Sequence, residues 1–365
     1  YQAFECEEQV ASAALTSFSL TLNESGEELR KPAGFKEECR QDEEGQLIIS
    51  GSLGEKQKAF LMAMTDMKSI LVTGHDYQHS SLLVPAGTFS QKSAFGSLKA
   101  TVDTSLMLRG GPRLGVYYCE KGASQRASKV IYDRAGSSFA EASPEEFDWD
   151  KIFKDAKWFH FTGITPALGE AAAESCLRAC QAARERHIPI SFDPNYRSSL
   201  WSRDKAFSLL DKIMPYVDLC ISNPGQAADV FGIPLPLDES EDSEREACRQ
   251  IARQLCSRYG CRYVALTRRR SVSASDNDFS AMLYADGECF FSRSYSMHIV
   301  DRVGGGDGFA AGLIYALQKE FSYAQSIEFA AAASCLKHSI PGDACHASAE
   351  EILHLASGGG TLIQR

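Results

Sequence analysis

The segment DRVGGGDGFAAGL, Asp301–Leu313, decides the fold assignment. Its three successive glycines, Gly304, Gly305 and Gly306, are followed at once by Asp307 and an alanine-rich apolar run. A glycine turn that leads into a helix leaves backbone N–H groups unpaired, and the helix dipole favours an anion in front of them. A carboxylate placed there can remove a proton from an attacking hydroxyl. An acidic residue that only stabilises a helix start is the alternative, and the spacing alone leaves both open.

Two better-known glycine motifs do not fit the chain. The segment GSLGEK, which begins at Gly51, has the wrong spacing for a P-loop and lacks a Ser or Thr after Lys56. The dinucleotide fingerprint G-x-G-x-x-G fails because Phe309 stands in place of the third glycine, near the end of the chain. The sequence therefore favours neither a P-loop NTPase nor a dinucleotide-binding enzyme.

Composition limits the class of protein. The 365 residues are 44% hydrophobic and 24% charged, which is typical of a globular enzyme. The net charge of −10 argues against sequence-independent nucleic-acid binding, because no basic excess exists to neutralise phosphates. We find neither a membrane-spanning apolar run nor a signal peptide, so we expect a cytoplasmic protein without a membrane partner. Cys176 and Cys180 come closest to a metal motif but lack a second pair, so the cysteines are interpreted as small buried residues and no metal site is predicted.

From about Lys157 the chain alternates strand and helix patterns. The predicted strands are WFHFTGI (Trp158–Ile164), IPISFDPN (Ile188–Asn195), DLCISN (Asp218–Asn223) and RYVALT (Arg262–Thr267). Helical periodicity between them predicts a parallel sheet with helices on both faces. Ligands of such sheets gather beyond the carboxyl ends of the strands, and the polar ends of these strands lie there.

Other polar clusters allow two interpretations each. In DPNYR (Asp193–Arg197), Arg197 could clamp a carboxylate or phosphate, or could be a surface side chain of a polar loop. Tyr132 and Arg134 are predicted on one face of a strand, which could be a half-exposed strand without further role. The basic cluster Thr267–Ser271 could meet nucleotide phosphates or be solvated.

Taken together, these segments resemble one family. DRVGGGDGFAAGLIYAL resembles the signature D-x-x-G-A-G-D-x-F-x-x-G of the ribokinase-like (PfkB) sugar kinases. Further segments are similar, in the same order, to the 2-keto-3-deoxygluconate kinases of that family: RGGPRLGVYYCEKGASQRASKVIYDRAGSSFA, FHFTGITPAL, SFDPNYRSSLWS, SASDNDFSAMLY and LKHSIPGD. The resemblance extends from about Lys99 to the end. It implies a ribokinase-like three-layer α/β/α fold with a mostly parallel central sheet.

The resemblance also implies roles for individual residues. Asp307 matches the general base that deprotonates the acceptor hydroxyl. Gly304, Gly305 and Gly306, with the helix after them, match the anion hole for the γ-phosphate. The positions that match the nucleotide side of the site are Asn195, Tyr196, Arg197 and Thr267. The positions that match the substrate side are Tyr132, Arg134, Arg197 and Asp343.

These roles imply an ATP-dependent enzyme that uses Mg²⁺ and phosphorylates 2-keto-3-deoxy-D-gluconate to its 6-phosphate in sugar-acid catabolism. A sugar acid needs cationic partners, and Arg134 and Arg197 supply them in an acidic protein. The implied partners are the sugar acid and ATP, and the family allows a homo-oligomer built through lid strands. Another sugar kinase of this fold, acting on fructose or ribose, and an inactive nucleotide-binding remnant stay open as alternatives.

The chain departs from the family pattern at several places. Gln226 stands where many members carry the glutamate of N-x-x-E, which helps to organise magnesium. The nucleotide loop TRRRSVSASDN contains no glycine. Residues 1–98 contain no Gly-Gly pair and no counterpart of the family's sugar-binding segment. We therefore expect an atypical N-terminal segment over 1–98, with an atypical lid region, and a kinase core over 99–365.

Overall fold

The computed structural model describes residues 106–108, 110–235, 240–342, 345 and 347–359, together with five strands within residues 1–105. The chain divides into two compact units, one of Tyr1–Arg109 with Val116–Tyr118 and one of Gly110–Gly115 with Cys119–Arg365. In the first unit the five strands form an antiparallel sheet in the order β2-β3-β1-β4-β5. These strands are β1 (Ser17–Thr21), β2 (Glu38–Gln41), β3 (Gln46–Ser50), β4 (Ser69–Thr73) and β5 (Ser81–Pro85).

A seven-stranded sheet organises the second unit, in the order β13-β12-β11-β10-β9-β8 with β14 paired to β12. Its parallel strands are β8 (Phe159–Thr162), β9 (Ile190–Asp193), β10 (Leu219–Ser222) and β11 (Tyr263–Ser271). Its antiparallel strands are β12 (Asp276–Ala285), β13 (Glu288–Phe291) and β14 (Tyr295–His298). A separate two-stranded hairpin consists of β6 (Val116–Glu120) and β7 (Lys129–Asp133). The predicted mostly parallel sheet is confirmed.

Helices cover the sheet on both faces. In the described part of the chain they are α1 (Ser138–Glu141), α2 (Trp149–Phe153), α3 (Ile164–Ala167), α4 (Glu170–Glu185), α5 (Arg203–Ile213), α6 (Pro224–Phe231), α7 (Glu241–Tyr259), α8 (Gly305–Gln318), α9 (Tyr323–His338) and α10 (Ala349–Ala356). Short 3₁₀ turns lie at Pro144–Glu146 and Met214–Tyr216. None of the helices that the structure describes is both long and apolar enough to span a bilayer.

The alternation of side chains along the strands explains the layers. In β10, Cys220 packs into one core cluster, whereas its neighbours Leu219 and Ile221 pack into the other. Val264 and Leu266 of β11 join the cluster of Cys220. That cluster contains buried residues of α4, α5 and α7, and the second contains those of α8, α9 and α10. Because successive side chains of a strand point to opposite faces, the sheet buries both faces and the unit has three layers.

The described cysteines differ in burial, and only part of them fit the interpretation as small buried residues. Every cysteine that the structure describes is a free thiol, and Cys176, Cys180, Cys220 and Cys248 are buried. Burial raises the pKa of the Cys248 thiol to about 11, which keeps it protonated and unreactive. Among the described residues, no group of three or more His, Cys, Asp and Glu side chains could hold a metal ion.

Candidate active site

The carboxyl ends of β8 and β9 form one wall of the site. The Gly163 N–H donates to the Asp193 carbonyl over 2.7 Å, and the Asn195 side-chain amide donates to Thr162 Oγ1 over 3.0 Å. The Asn195 backbone N–H donates to Asp193 Oδ1 over 2.8 Å. A Cβ on Gly163 would lie 2.0 Å from the Pro194 carbonyl oxygen, so only glycine permits this approach. The two strand ends are therefore locked together at the edge where ligands of parallel sheets bind.

Asp193 has an unusual carboxyl group. Its pKa is raised to about 7. Burial is the largest cause, and the charge of Asp307 also raises the pKa, whereas the N–H of Asn195 and the charge of Arg197 lower it. The influence of Asp307 and Arg197 shows that the glycine turn and the DPNYR loop lie near this strand end. At neutral pH Asp193 is thus divided between its protonated and ionised forms.

We expect this carboxyl to make stability pH-dependent. Its folded-state pKa of about 7 lies above the unfolded value of about 3.9, so the folded state binds the proton more tightly. The resulting stabilisation is fully present below about pH 4 and is lost as the pH rises through about 7. Asp193→Asn should reduce the loss of stability between pH 5 and pH 8 in urea unfolding, whereas the exposed control Asp155→Asn should not. Equal pH dependence in the wild type and Asp193→Asn would contradict this.

The glycine turn lies near this strand end, since the charge of Asp307 influences the Asp193 carboxyl. The helix α8 begins at Gly305, and its cap, Gly304, has φ 78°, a left-handed conformation that favours glycine. The Gly308 N–H donates to the Gly304 carbonyl over 2.8 Å. Asp307 is exposed in the first turn of α8. The start of this helix therefore combines backbone N–H groups of the first turn, a favourable dipole and an accessible carboxylate.

A buried histidine packs beneath this turn. His338, at the end of α9, is fully buried, and its Nδ1 lies 2.7 Å from the Ser334 carbonyl oxygen. Because a carbonyl only accepts, Nδ1 carries the proton, and Nε2 faces the Arg269 guanidinium at 3.4 Å. Burial lowers the pKa of His338 to about 4, so the ring is neutral at pH 7. An ideal Cβ on Gly305 would lie 2.2 Å from His338 Cε1. The sequence offered no signal for this contact.

The predicted nucleotide-side residues follow β9. Asn195 has φ 41°, which turns the chain after the strand, and the Arg197 guanidinium donates to the Tyr196 carbonyl over 3.0 Å. The Tyr196 hydroxyl donates to the Trp201 carbonyl over 3.3 Å. Asn195, Tyr196 and Arg197 are all partly buried. They occupy the same sheet edge as Asp193.

Thr267 and Gln226 lie at the ends of the next strands. Thr267 Oγ1 donates to the Ser222 carbonyl over 3.3 Å, which places it beside the end of β10. Asn223 caps α6, and its Oδ1 accepts from the Gln226 N–H over 2.9 Å. The Gln226 side-chain oxygen lies 3.5 Å from Ser222 Oγ. The departure from N-x-x-E thus puts a neutral amide at this strand end.

The predicted substrate-side residues form a group on the hairpin. The Arg134 guanidinium carbon lies 5.2 Å from the centre of the Tyr132 ring, a cation–π contact, and Arg134 is buried. Arg113 forms an ion pair with Asp133 at 2.5 Å, which fixes the end of β7. The structure therefore places the side chains of Tyr132 and Arg134 in contact with each other. Asp343 lies outside the described residues.

Comparison with known proteins identifies several related kinases. Residues 79–345 match the model of the pfkB family carbohydrate kinases. A 2-dehydro-3-deoxygalactonokinase of Haloferax volcanii is 29% identical over 253 residues, which cover 69% of this chain and 73% of that protein. The crystal structure of a 2-dehydro-3-deoxygluconokinase from Thermotoga maritima has a TM-score of 0.70 and 46% identity, covering 73% of this chain and 80% of that chain. The crystal structure of a PfkB family carbohydrate kinase from Listeria grayi has a TM-score of 0.66 and 32% identity, and the match covers 73% of this chain and 81% of that chain.

Proposed function

The chain belongs to the pfkB family of carbohydrate kinases, and from this premise we propose that it transfers the γ-phosphate of ATP to the terminal hydroxyl of 2-keto-3-deoxy-D-gluconate. The product is the 6-phosphate. The observation that carries the proposal is the glycine turn, with Asp307 exposed in the first turn of α8 and acting on the carboxyl of Asp193 at the nearby strand end. The 46% identity to the Thermotoga enzyme supports the choice of substrate class.

Asp307 is proposed as the general base. Its carboxylate takes the proton of the terminal hydroxyl as that oxygen attacks the γ-phosphorus, and ADP leaves with the bond electrons of the bridging oxygen. The N–H groups at the start of α8 stabilise the charge on the transferred group, because they point at it before the reaction begins. Gly304, Gly305 and Gly306 let the backbone approach the phosphate without a side chain in between.

The residues of this site fit a magnesium ion that binds together with the nucleotide phosphates. Mg²⁺ is usually held by one or two carboxylates together with substrate phosphates and water, and the carboxyl group of Asp193 at this strand end would be one of its ligands. The metal would neutralise charge on the phosphates. The proposal therefore includes ATP and Mg²⁺. It also includes a cytoplasmic location, because free thiols such as those of the described cysteines are typical of that compartment.

Recognition of the acid group is assigned to Arg134 and Arg197. A guanidinium binds a carboxylate through two parallel hydrogen bonds, which gives both affinity and orientation. Arg134 is only 8% exposed, and its guanidinium packs against the Tyr132 ring. Its orientation is therefore fixed before the substrate binds.

We expect Arg134→Gln to raise the KM for the keto-deoxy acid about 10- to 100-fold, as loss of a charge-assisted hydrogen bond costs about 1.5–3 kcal/mol. The kcat should change less, since the group acts far from the reacting oxygen. Initial rates over a range of acid concentrations test this. Arg126→Gln, an exposed arginine of the same hairpin that pairs with Glu120, is the matched control. An unchanged KM in Arg134→Gln would remove Arg134 from the acid site.

A substrate panel tests the proposed function. Release of ADP is measured with ATP and Mg²⁺ against 2-keto-3-deoxygluconate, 2-keto-3-deoxygalactonate, gluconate, fructose and ribose. The galactonate epimer is included because the Haloferax relative is named for it. Preference for a keto-deoxy acid supports the proposal. Preference for fructose or ribose would favour another sugar kinase of the same fold, and ATP binding without turnover would favour an inactive remnant.

A further inference from the structure

Asp301 connects three separate segments near the glycine turn. It stands three residues before Gly304 and is 6% exposed. Its Oδ1 accepts from the Val303 N–H over 3.2 Å, and its Oδ2 accepts from the Gly342 N–H over 3.0 Å. The Lys121 ammonium lies 2.8 Å from the same Oδ2. One buried carboxylate therefore joins the glycine turn, the loop after α9 and the loop of the hairpin.

Backbone contacts hold the hairpin loop in the position that this ion pair requires. The Ser124 N–H donates to Ser275 Oγ over 3.0 Å, and the Ala274 N–H donates to the Ser124 carbonyl over 2.8 Å. The Ser275 carbonyl accepts from the Ile299 N–H over 2.6 Å, two residues before Asp301. The loop between β6 and β7 is thus attached to the loop between β11 and β12 and, through it, to the segment that leads into the glycine turn.

The ammonium of Lys121 keeps the buried carboxylate ionised. Burial raises the pKa of Asp301, but hydrogen bonds from Lys121, Val303 and Gly342 outweigh it and hold the pKa below its ordinary value. Without the ammonium, the buried charge would be less compensated, and the carboxylate would take up a proton or move toward water. Either change loosens the backbone that Asp301 holds at Val303, just before the turn, and at Gly342, in the loop after α9.

We infer that Lys121 is a positioning residue for phosphoryl transfer: its ion pair with Asp301 fixes the glycine turn that receives the phosphate. The inference rests on the proposed function. Lys121 acts through Asp301, since its own side chain is 60% exposed and contacts the carboxylate from the surface. The hairpin that carries Lys121 also carries Tyr132 and Arg134, so the same ion pair links the acid-binding strand to the phosphate-binding turn.

Hydrogen–deuterium exchange on the full chain tests the structural part. In Lys121→Ala, the amides of Val303 and Gly342 should exchange on the order of tenfold faster, because their acceptor is no longer held. Lys121→Arg should restore slow exchange, since the guanidinium can pair with the same carboxylate. Lys205→Ala, an exposed lysine of α5, should match the wild type. Unchanged exchange of both amides in Lys121→Ala would overturn the inference.

Steady-state kinetics test the functional part. We expect kcat to fall about 5- to 10-fold in Lys121→Ala, the size of effect that loss of about 1 kcal/mol from one ion pair gives, while the KM for the keto-deoxy acid changes less than about twofold. Lys121→Arg should recover most of kcat. An unchanged kcat despite faster exchange would overturn the positioning role. If the wild type turns over no sugar acid, the proposed function is refuted, and the role of Lys121 in phosphoryl transfer with it. The exchange rates would still show whether Lys121 holds Asp301 and the two amides bound to it.

Discussion

Replacing Asp307 by asparagine is expected to lower kcat by about 10²- to 10⁴-fold, the range typical of a lost general base. Asparagine keeps the size and polarity of the side chain at the start of α8 but cannot take up the hydroxyl proton. Because the N–H groups of the turn are unchanged, ATP should still bind with an affinity within a few-fold of the wild type. Single-turnover ADP formation and calorimetric titration of ATP measure the two quantities separately.

The residual rate of this variant carries further information. The charge of Asp307 raises the pKa of Asp193, so its removal should lower the pKa of Asp193 below about 7. Asp193 would then be more ionised at neutral pH, and we propose it as the replacement base at this strand end. The double variant Asp193→Asn with Asp307→Asn should therefore be slower than Asp307→Asn alone. A single variant that keeps more than about a tenth of the wild-type kcat would mean that Asp307 is not the base.

Replacing Gly305 by alanine is expected to cost about 1–3 kcal/mol of stability and to lower kcat about 10²-fold or more. An ideal Cβ at this position would lie 2.2 Å from His338 Cε1 and 2.6 Å from Nε2. The ring cannot move easily, because it is fully buried and bound to the Ser334 carbonyl. The start of α8 must shift instead, and its N–H groups then no longer point at the phosphate.

Gly306→Ala provides a matched control for this clash. A Cβ on Gly306 would have no atom within 4 Å, so the substitution should not destabilise the protein and can add about 0.5–1 kcal/mol through the helix preference of alanine. Urea unfolding compares the free energies of unfolding of the two variants, and kcat is measured for Gly305→Ala as well. Equal stability of Gly305→Ala and Gly306→Ala would show that His338 can give way and that the close contact has no structural importance.

Much of the site's location follows from the sequence. The apolar runs before Asp193 and Ser222 end in polar residues, and parallel strands bring such ends to one edge of a sheet. The run of glycines before an alanine-rich segment predicts the start of α8. These predictions need only local patterns, because the strands and helices that carry them are defined by periodicity.

The contacts that tune the site could not be predicted in this way. Lys121 and Asp301 lie far apart in the sequence, and neither a charge pattern nor a spacing joins them. His338 is buried beneath Gly305 because α8 and α9 pack closely, which depends on tertiary structure. The raised pKa of Asp193 likewise requires burial and the approach of Asp307, and neither can be read from DPNYR alone.

The most direct test of the central claim is identification of the product formed from ATP, Mg²⁺ and 2-keto-3-deoxygluconate, by ³¹P NMR and mass spectrometry. The proposed function predicts one phosphate ester on the terminal carbon of the sugar acid for each ADP released, and at most about a hundredth of that amount with Asp307→Asn over the same time. ADP with only inorganic phosphate, or an ester on fructose or ribose but not on the keto-deoxy acid, would contradict it.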